Sequence, residues 1–384
     1  MKKYIFSSDF HIGLFTDELD RTNEIISIVT DIVNHAVSIK ADGVIFGGDI
    51  FHNNNPSSYL IKRFLKIINI LNKNGIKIWI IDGNHDKISN EKISCLQFLK
   101  ELKSGYKVKL ISDIKCLRIF KSEIGNCYFT FLPHISTNQI PDEFKTVQKY
   151  IDAKTKRIQE SISINANHFI FSHLNVKEAI PGTEQFMLKR SEAYLPEPIL
   201  NPEFKHSRPI IIQAHIHTQQ VIDRIHIIGS PIFVDFGEKE KKKYFCEINI
   251  PEYLGEGRHR IKMISTRCRP LKEFNIDCSK TKLEKKQIRI LCKKISKRSI
   301  LKVNLTIPDH KILNLSEISN QFKKYCYHLK PIKPRIVRKV VKRNRHQTIK
   351  LSPNKAVKVW IKKHNPKNAV RISELVESYI ESVL

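Results

Sequence analysis

The chain has 384 residues, room for two or three domains, and 41% of them are hydrophobic, which excludes wholesale disorder. Its 67 Lys and Arg against 38 Asp and Glu give a net charge of +29, divided as +3 over residues 1–240 and +26 over 241–384. A uniform composition bias cannot produce that asymmetry, so an acidic polymer, most simply nucleic acid, is the expected partner of the second part. The eight cysteines, Cys95, Cys116, Cys127, Cys246, Cys268, Cys278, Cys292 and Cys326, include no Cys-x-x-Cys pair and read as reduced thiols of a cytoplasmic protein. In MKKYIFSSDFH an aspartate and a histidine interrupt the start before a signal core forms. Apolar runs such as IKIWII (76–81) are far shorter than the about 20 residues of a membrane span. Secretion and membrane insertion are therefore not expected.

In chain order, KYIF (3–6) precedes a helical pattern over 18–39, and GVIF (43–46) precedes a second over 57–72. IKIWII is followed by a shorter helical pattern at 91–102, then by short strands at 107–111, 116–120 and 127–132 and a helix over 141–163. HFIFSH (168–173), PIIIQAHIH (209–217), RIHIIGS (224–230) and KKYFCEINI (242–250) continue the strands. This alternation predicts an α/β layered fold over 1–250. A small basic α+β segment is expected over 258–337, with strands RIKMIST and RPLKEFNID, a basic helix at 281–296, strand ILKVNLTI and a helix at 315–327. An extended basic linker follows at 338–351; no Asp or Glu occurs from 318 to 373. Ser352-Pro353 starts the first of two C-terminal helices within 352–384.

Five polar blocks each follow an apolar strand: SSDFH, GGDIFH, DGNHD, SHLNV and QAHIH. Sites in α/β sheets collect at the carboxyl ends of strands, so these blocks are expected to share one site. Alternation along an extended chain points Asp9 and His11 to one face, and likewise His215 and His217. With Asp49, Asn84 and His173 they form a set of seven carboxylate, imidazole and amide donors without thiolate, suited to Mn, Fe, Zn or Mg. Seven donors exceed one tetrahedral zinc and fit two ions sharing a bridging carboxylate. The residues alone do not decide which donor serves which ion. His35, His134, His168, His206 and His226 stand singly and read as structural.

Asp9-x-His11, Gly48-Asp49, Gly83-Asn84-His85-Asp86, His173 and His215-x-His217 together resemble the signature of the calcineurin-like metallophosphoesterases, with Ala214 where the last block usually has Gly. The resemblance implies a four-layer β-sandwich with helices on both faces. It places Asp9, His11, Asp49 and His217 around one ion and Asn84, His173, His215 and the shared Asp49 around the other. His85 would assist the leaving alkoxide, and Asp86 would hold its other ring nitrogen. GGDIFHNNNPSS is similar to the nuclease branch, the SbcD-type subunits of DNA break-repair complexes, in which His52 would position the scissile phosphate. HLNVKEAIPGTE (173–184) and the Gly-Ser-Pro…Phe-Gly-Glu-x-x-x-x-Lys block within 228–248 resemble the same branch.

That branch implies a Mn²⁺-dependent exonuclease and endonuclease acting on DNA ends, single strands and hairpins. Its 258–337 segment would cap DNA, its C-terminal helices would bind an SbcC-type coiled-coil ABC ATPase, and the protein would be a homodimer. Two rivals are a phosphatase or cyclic-nucleotide phosphodiesterase, which the basic second part disfavours, and a DNA-tethering scaffold, which has no use for seven converging donors.

Overall fold

The computed structural model describes all residues except 89–92, 103–104, 123–124, 181–192, 203–207, 239, 253–257, 280–282, 294, 309–311, 338–352, 365 and 384. The expected linker at 338–351 and His206 thus lie outside the described residues. The chain groups into two compact units, Met1–Thr306 with Leu313–Arg335, and Ile307–Ile312 with Ile336–Leu384.

The first unit opens with β1 (Lys2–Ser7), a short hairpin of β2 (Phe15–Thr16) and β3 (Leu19–Asp20), and helix α1 (Thr22–Ser38). Next come β4 (Gly43–Phe46), α2 (Ser58–Lys73), β5 (Lys77–Ile81) and β6 (Val108–Ile111). β7 (Lys115–Ser122), β8 (Gly125–Leu132), α3 (Val147–Ser161), β9 (Asn167–Ser172) and β10 (Ile210–Gln213) follow. β11 (Gln220–Ile222), β12 (Ile225–Ile227), β13 (Tyr244–Ile250) and β14 (Arg260–Ser265) complete two six-stranded sheets, ordered β14-β13-β1-β4-β5-β6 and β11-β12-β10-β9-β8-β7.

Side-chain alternation builds the layers. Ile5, Val44, Phe46, Ile78 and Ile80 join Ile25 and Val29 of α1 and Phe64 and Ile68 of α2 in one apolar cluster. Their neighbours Tyr4, Phe6, Ile45, Trp79 and Ile81 point the other way, onto Phe129, Phe131, Phe169 and Phe171 of the second sheet. On that sheet's far face Ile170 and Ile211 pack with Tyr150 and Ile151 of α3. The order is helix, sheet, sheet, helix, the expected four-layer arrangement. β1, β4 and β5 run parallel, as do β9 and β10, so the carboxyl ends within each group lie together.

Three expectations are corrected. RIKMIST, read as part of the 258–337 segment, is β14, which pairs antiparallel with β13 from Tyr244↔Ser265 to Asn249↔Arg260 and forms the edge of the first sheet. The helix expected at 91–102 is a 3₁₀ turn, Gln97–Glu101. Cys95 N–H donates to Asp86 O at 2.8 Å and Ser94 Oγ to Asp82 Oδ1 at 2.8 Å, which draws the chain onto the neighbouring loop. The strand expected over 209–217 stops at Gln213, for a reason that belongs to the site.

After β14, β15 (Leu271–Asp277), α4 (Lys285–Cys292), β16 (Ile300–Pro308), α5 (Leu315–Lys323) and β17 (His328–Leu329) supply a third sheet with two helices. In the second unit, α6 (Pro353–His364) packs on α7 (Ala369–Val383). No helix among the described residues is long and apolar enough to cross a membrane.

His168, buried on β9, shares a 2.9 Å hydrogen bond with Thr130 Oγ1, and burial pushes its imidazole down to about 3. An unfolded histidine takes its proton near about 6.5. Stability from the neutral His168 is therefore complete above that value and lost as pH falls toward the folded one. We expect His168→Gln to remove about 1.4 kcal/mol of the stability lost between pH 7.5 and 5.5, compared by urea melts.

Candidate metal centre

The five polar blocks converge where β1, β4, β5, β9 and β10 end. The backbone does this by leaving the extended conformation. Asp9 (φ +56°), His11 (φ +49°), Asp49 (φ +51°) and His215 (φ +70°) are all left-handed, a conformation uncommon for residues other than glycine. Strand alternation is thus not what brings the paired donors together. β1 ends at Ser7 and β10 at Gln213, and each following turn is pinned by main-chain bonds: Asp9 N–H to Gly48 O at 3.0 Å, His11 N–H to Asp49 O at 3.1 Å, Ala214 N–H to Ser172 O at 2.9 Å. Backbone strain at four donor positions persists because these contacts over-determine it.

Gly48 and Gly83 let the loops after β4 and β5 touch. A Cβ on Gly83 would lie 2.1 Å from Asp49 Oδ1, and one on Gly48 2.7 Å from Gly83 N. Asp86 fastens the same contact, its carboxylate accepting the N–H groups of Asp49 (2.8 Å), Ile50 (3.1 Å) and Gly83 (2.9 Å). This corrects the expected Asp86–His85 pairing. His85 Nδ1 instead donates to the main-chain oxygen of His52 at 2.7 Å, because Asp86 is turned inward under the loop.

Two clusters of the expected donors result, Asp9–His11–His217 and Asp49–His173–His215, the ligand atoms of each lying within 4.8 Å of one another, and a third such group joins His11 to His52 and His85. Asp49 Oδ2 stands between the first two, 3.9 Å from His11 Nε2 and 3.5 Å from His173 Nε2. Asn84 Oδ1 is 3.1 Å from His173 Nε2, so all seven expected donors meet at this end of the sheets.

The residues fit divalent cations on three counts. Asp9 Oδ1 is buried without a hydrogen-bond partner among the described residues. His11 Nε2 and His217 Nε2 face each other at 3.2 Å, the separation of two nitrogens bonded to one ion at about 2.1 Å with an angle of about 100°. The set also mixes carboxylate and imidazole, which suits borderline-hard metals.

Electrostatics agree with the packing. Burial, opposed by His173 and His217, pushes Asp9 up. Burial acts on Asp49 in the same sense, but His173, His85 and His11 outweigh it and hold the carboxyl well below its usual range. His173 is the converse: burial disfavours its charge, yet Asp49 and Asp9 push it up to about 9. Burial keeps His11 well below the usual imidazole range and His215 down at about 3, and both are neutral donors.

His52 and His85 stand beside these clusters, their rings stacked at 5.7 Å and lying 5.5 and 4.8 Å from that of His11. His35 and His168, read as structural, bond Glu247 at 3.2 Å and Thr130 at 2.9 Å. Three neighbours were not singled out from sequence. Asn175 Oδ1 meets His215 Nε2 at 3.0 Å, Glu238 Oε1 lies 3.5 Å from His217 Nδ1, and Lys243 Nζ donates to His217 O at 2.8 Å. Glu238 and Lys243 are the acid and base of the Phe-Gly-Glu-x-x-x-x-Lys block; Asn175, two residues after His173, carried no signal of its own.

Residues 2–219 match the calcineurin-like phosphoesterase family. The DNA double-strand break repair protein Mre11 of Methanococcus maripaludis is 25% identical over 173 residues, 44% of this chain and 45% of that protein. The SbcD component of the SbcCD nuclease of Escherichia coli K12 is 23% identical over 265 residues, 63% of each chain. The chain thus spans about half to two thirds of the length of these two curated relatives. A solved dimetal phosphatase from Danio rerio aligns with a TM-score of 0.44 at 14% identity, over 69% of this chain and 96% of that one. With more than half of its residues matched and the donor blocks all inside the matched span, the chain belongs to the calcineurin-like phosphoesterase family.

Proposed function

We propose that this metal-dependent hydrolase is a DNA nuclease that cleaves phosphodiester bonds at duplex ends and in single strands or hairpins. The observation that carries the reading is the His52–His85 pair beside the two donor clusters. His52 Nδ1 is buried with no hydrogen-bond partner among the described residues, a cost that binding of a polar ligand removes. His85 is oriented through Nδ1, which leaves Nε2 as its working nitrogen. A phosphodiester needs both services, a group to seat the phosphate and an acid for the leaving alkoxide.

Asp9, His11, Asp49 and His217 would hold one divalent cation, and Asn84, His173, His215 and Asp49 the second, with Mn²⁺ the expected metal. Such a pair supplies water activation and neutralises phosphate charge. The chain's own part is positional. Asp49 is fixed by Asp86 and by His85 N–H, which donates to its Oδ1 at 2.8 Å. His52 seats the phosphate and His85 gives the leaving oxygen a proton. The names of the Mre11 and SbcD relatives and the excess of +26 over 241–384 support DNA as substrate. The basic 258–337 segment would grip duplex phosphates, Lys285, Lys286 and Lys293 among its exposed cations. α6 and α7 leave Val359, Trp360 and Leu375 exposed, a surface for a coiled-coil ATPase of SbcC type in a complex built on a homodimer.

End-labelled duplex and hairpin DNA incubated with Mn²⁺ should be cleaved by the wild type and about 100-fold or more slowly by Asp49→Asn, with salt-sensitive DNA binding kept in both. Binding without cleavage by the metal-loaded wild type would instead favour a tethering role. His85→Ala should slow cleavage about 10²–10⁴-fold while the bound metal, measured by atomic emission, stays unchanged. Loss of metal in that variant would make His85 a ligand.

A further inference from the structure

We infer that Glu238 and Lys243 are positioning residues that brace His217 at both its ring and its main chain, and so set cation affinity at the Asp9–His11–His217 cluster but not at the Asp49–His173–His215 cluster. The inference rests on reading these clusters as cation sites.

Lys243 lies just before β13 and is fully buried, and its ammonium has three protons to place. Two go to His217 O at 2.8 Å and Glu240 Oε1 at 3.0 Å, and the ammonium also forms an ion pair with Glu238 Oε2. The cation also sits 5.1 Å from the centre of the Phe233 ring. Glu238 Oε1 in turn accepts the N–H groups of Val234 at 3.0 Å and Asp235 at 3.2 Å and faces His217 Nδ1 at 3.5 Å. Ser230 N–H adds a second bond to His217 O at 3.2 Å.

A carboxylate 3.5 Å from Nδ1 favours the tautomer that carries its proton there. The Nε2 lone pair is then aimed at the remaining donors, Asp9 Oδ1 at 3.9 Å and His11 Nε2 at 3.2 Å. Lys243 keeps Glu238 from turning away and fixes the height of the His217 main chain. A well-packed apolar pair would fill the same volume at no lower stability, so a buried ion pair here is poorly explained as a packing device. His215 contrasts with this arrangement. It leaves the same loop, yet its ring meets the neutral amide of Asn175 at 3.0 Å. A charged brace stands behind one cluster and a neutral one behind the other, so the two sites should differ in cation affinity and respond separately to mutation.

The test is Mn²⁺ titration of the full chain by isothermal calorimetry and electron paramagnetic resonance. Glu238→Gln keeps the shape of the side chain and should weaken one of two Mn²⁺ sites about 10–100-fold while leaving the other at its wild-type affinity. Glu238→Asp keeps the charge and should weaken the same site less. Glu24→Gln is the matched control. Its carboxylate is largely covered too, bonding Arg21 at 3.2 Å and Arg269 N–H at 2.7 Å, but touches no donor, so both affinities should remain even if the protein melts earlier. Unchanged affinities in Glu238→Gln, equal weakening of both sites, or the same selective loss in Glu24→Gln would overturn the brace. A wild type that binds no Mn²⁺ would overturn the cation-site reading beneath it.

Discussion

Asp86 accepts the N–H groups of Asp49, Ile50 and Gly83 within 2.8–3.1 Å, and this one carboxylate ties the loop after β4 to the loop after β5. Everything else at the centre is set from there. Asp49 takes its left-handed backbone against this anchor, its main-chain oxygen then receives His11 N–H, and its Oδ1 receives His85 N–H. Gly48 and Gly83 are required because a side chain on either would occupy the space in which the loops meet. Beneath them, Lys87 Nζ pairs with buried Asp82 at 2.9 Å and holds the far side of the same turn. Burial, with Asp49 and Asp82 close by, pushes Asp86 up to about 8, and the three N–H groups it accepts oppose that shift.

The four layers explain why these loops can be so irregular. Apolar side chains from both faces of the first sheet are almost fully buried, one face under α1 and α2 and the other against the phenylalanines of the second sheet. Phe171 lies 4.9 Å from Phe129 and 5.7 Å from Phe6, so the strand ends that carry the donors are fixed by close-packed rings on both sheets. A rigid frame can hold several left-handed residues and a buried carboxylate such as Asp9, each unfavourable alone.

Much of this was legible in the sequence because the requirements are local. Apolar runs ending in Asp, Asn or His mark strand ends, and alternation within GVIF and IKIWII assigns Val44, Phe46, Ile78 and Ile80 to one face. What escaped depends on contacts distant in the chain. After Pro209, PIIIQAHIH contains no residue that breaks a strand, and it ends at Gln213 because His215 turns left-handed and gives its N–H to Asp9 Oδ2 instead of to a neighbouring strand. RIKMIST resembles its basic neighbours in composition and reveals its sheet only through β13. Asp86 follows His85 directly, which suggests a partnership, but adjacent residues in a tight turn point apart. Glu238 and Lys243 stood in a recognisable block whose purpose appears only where it meets His217.

His52 bears on the site in two ways, through its main chain and through its ring. Its main-chain oxygen orients His85, while its ring, kept below the usual imidazole range by burial and by His85, offers an Nδ1 with no hydrogen-bond partner among the described residues. The segment that carries it is tied down on both sides, by His52 N–H to Ile12 O at 3.0 Å and by Asn54 Nδ2 to Lys87 O at 3.0 Å. On the proposed reading, phosphate seating rests on the loop after β4 that carries His52, and leaving-group protonation on His85 in the loop after β5, whose N–H also holds Asp49 Oδ1. The two loops bring both imidazoles side by side, stacked at 5.7 Å next to the donor clusters, the placement on which the proposed diester cleavage relies.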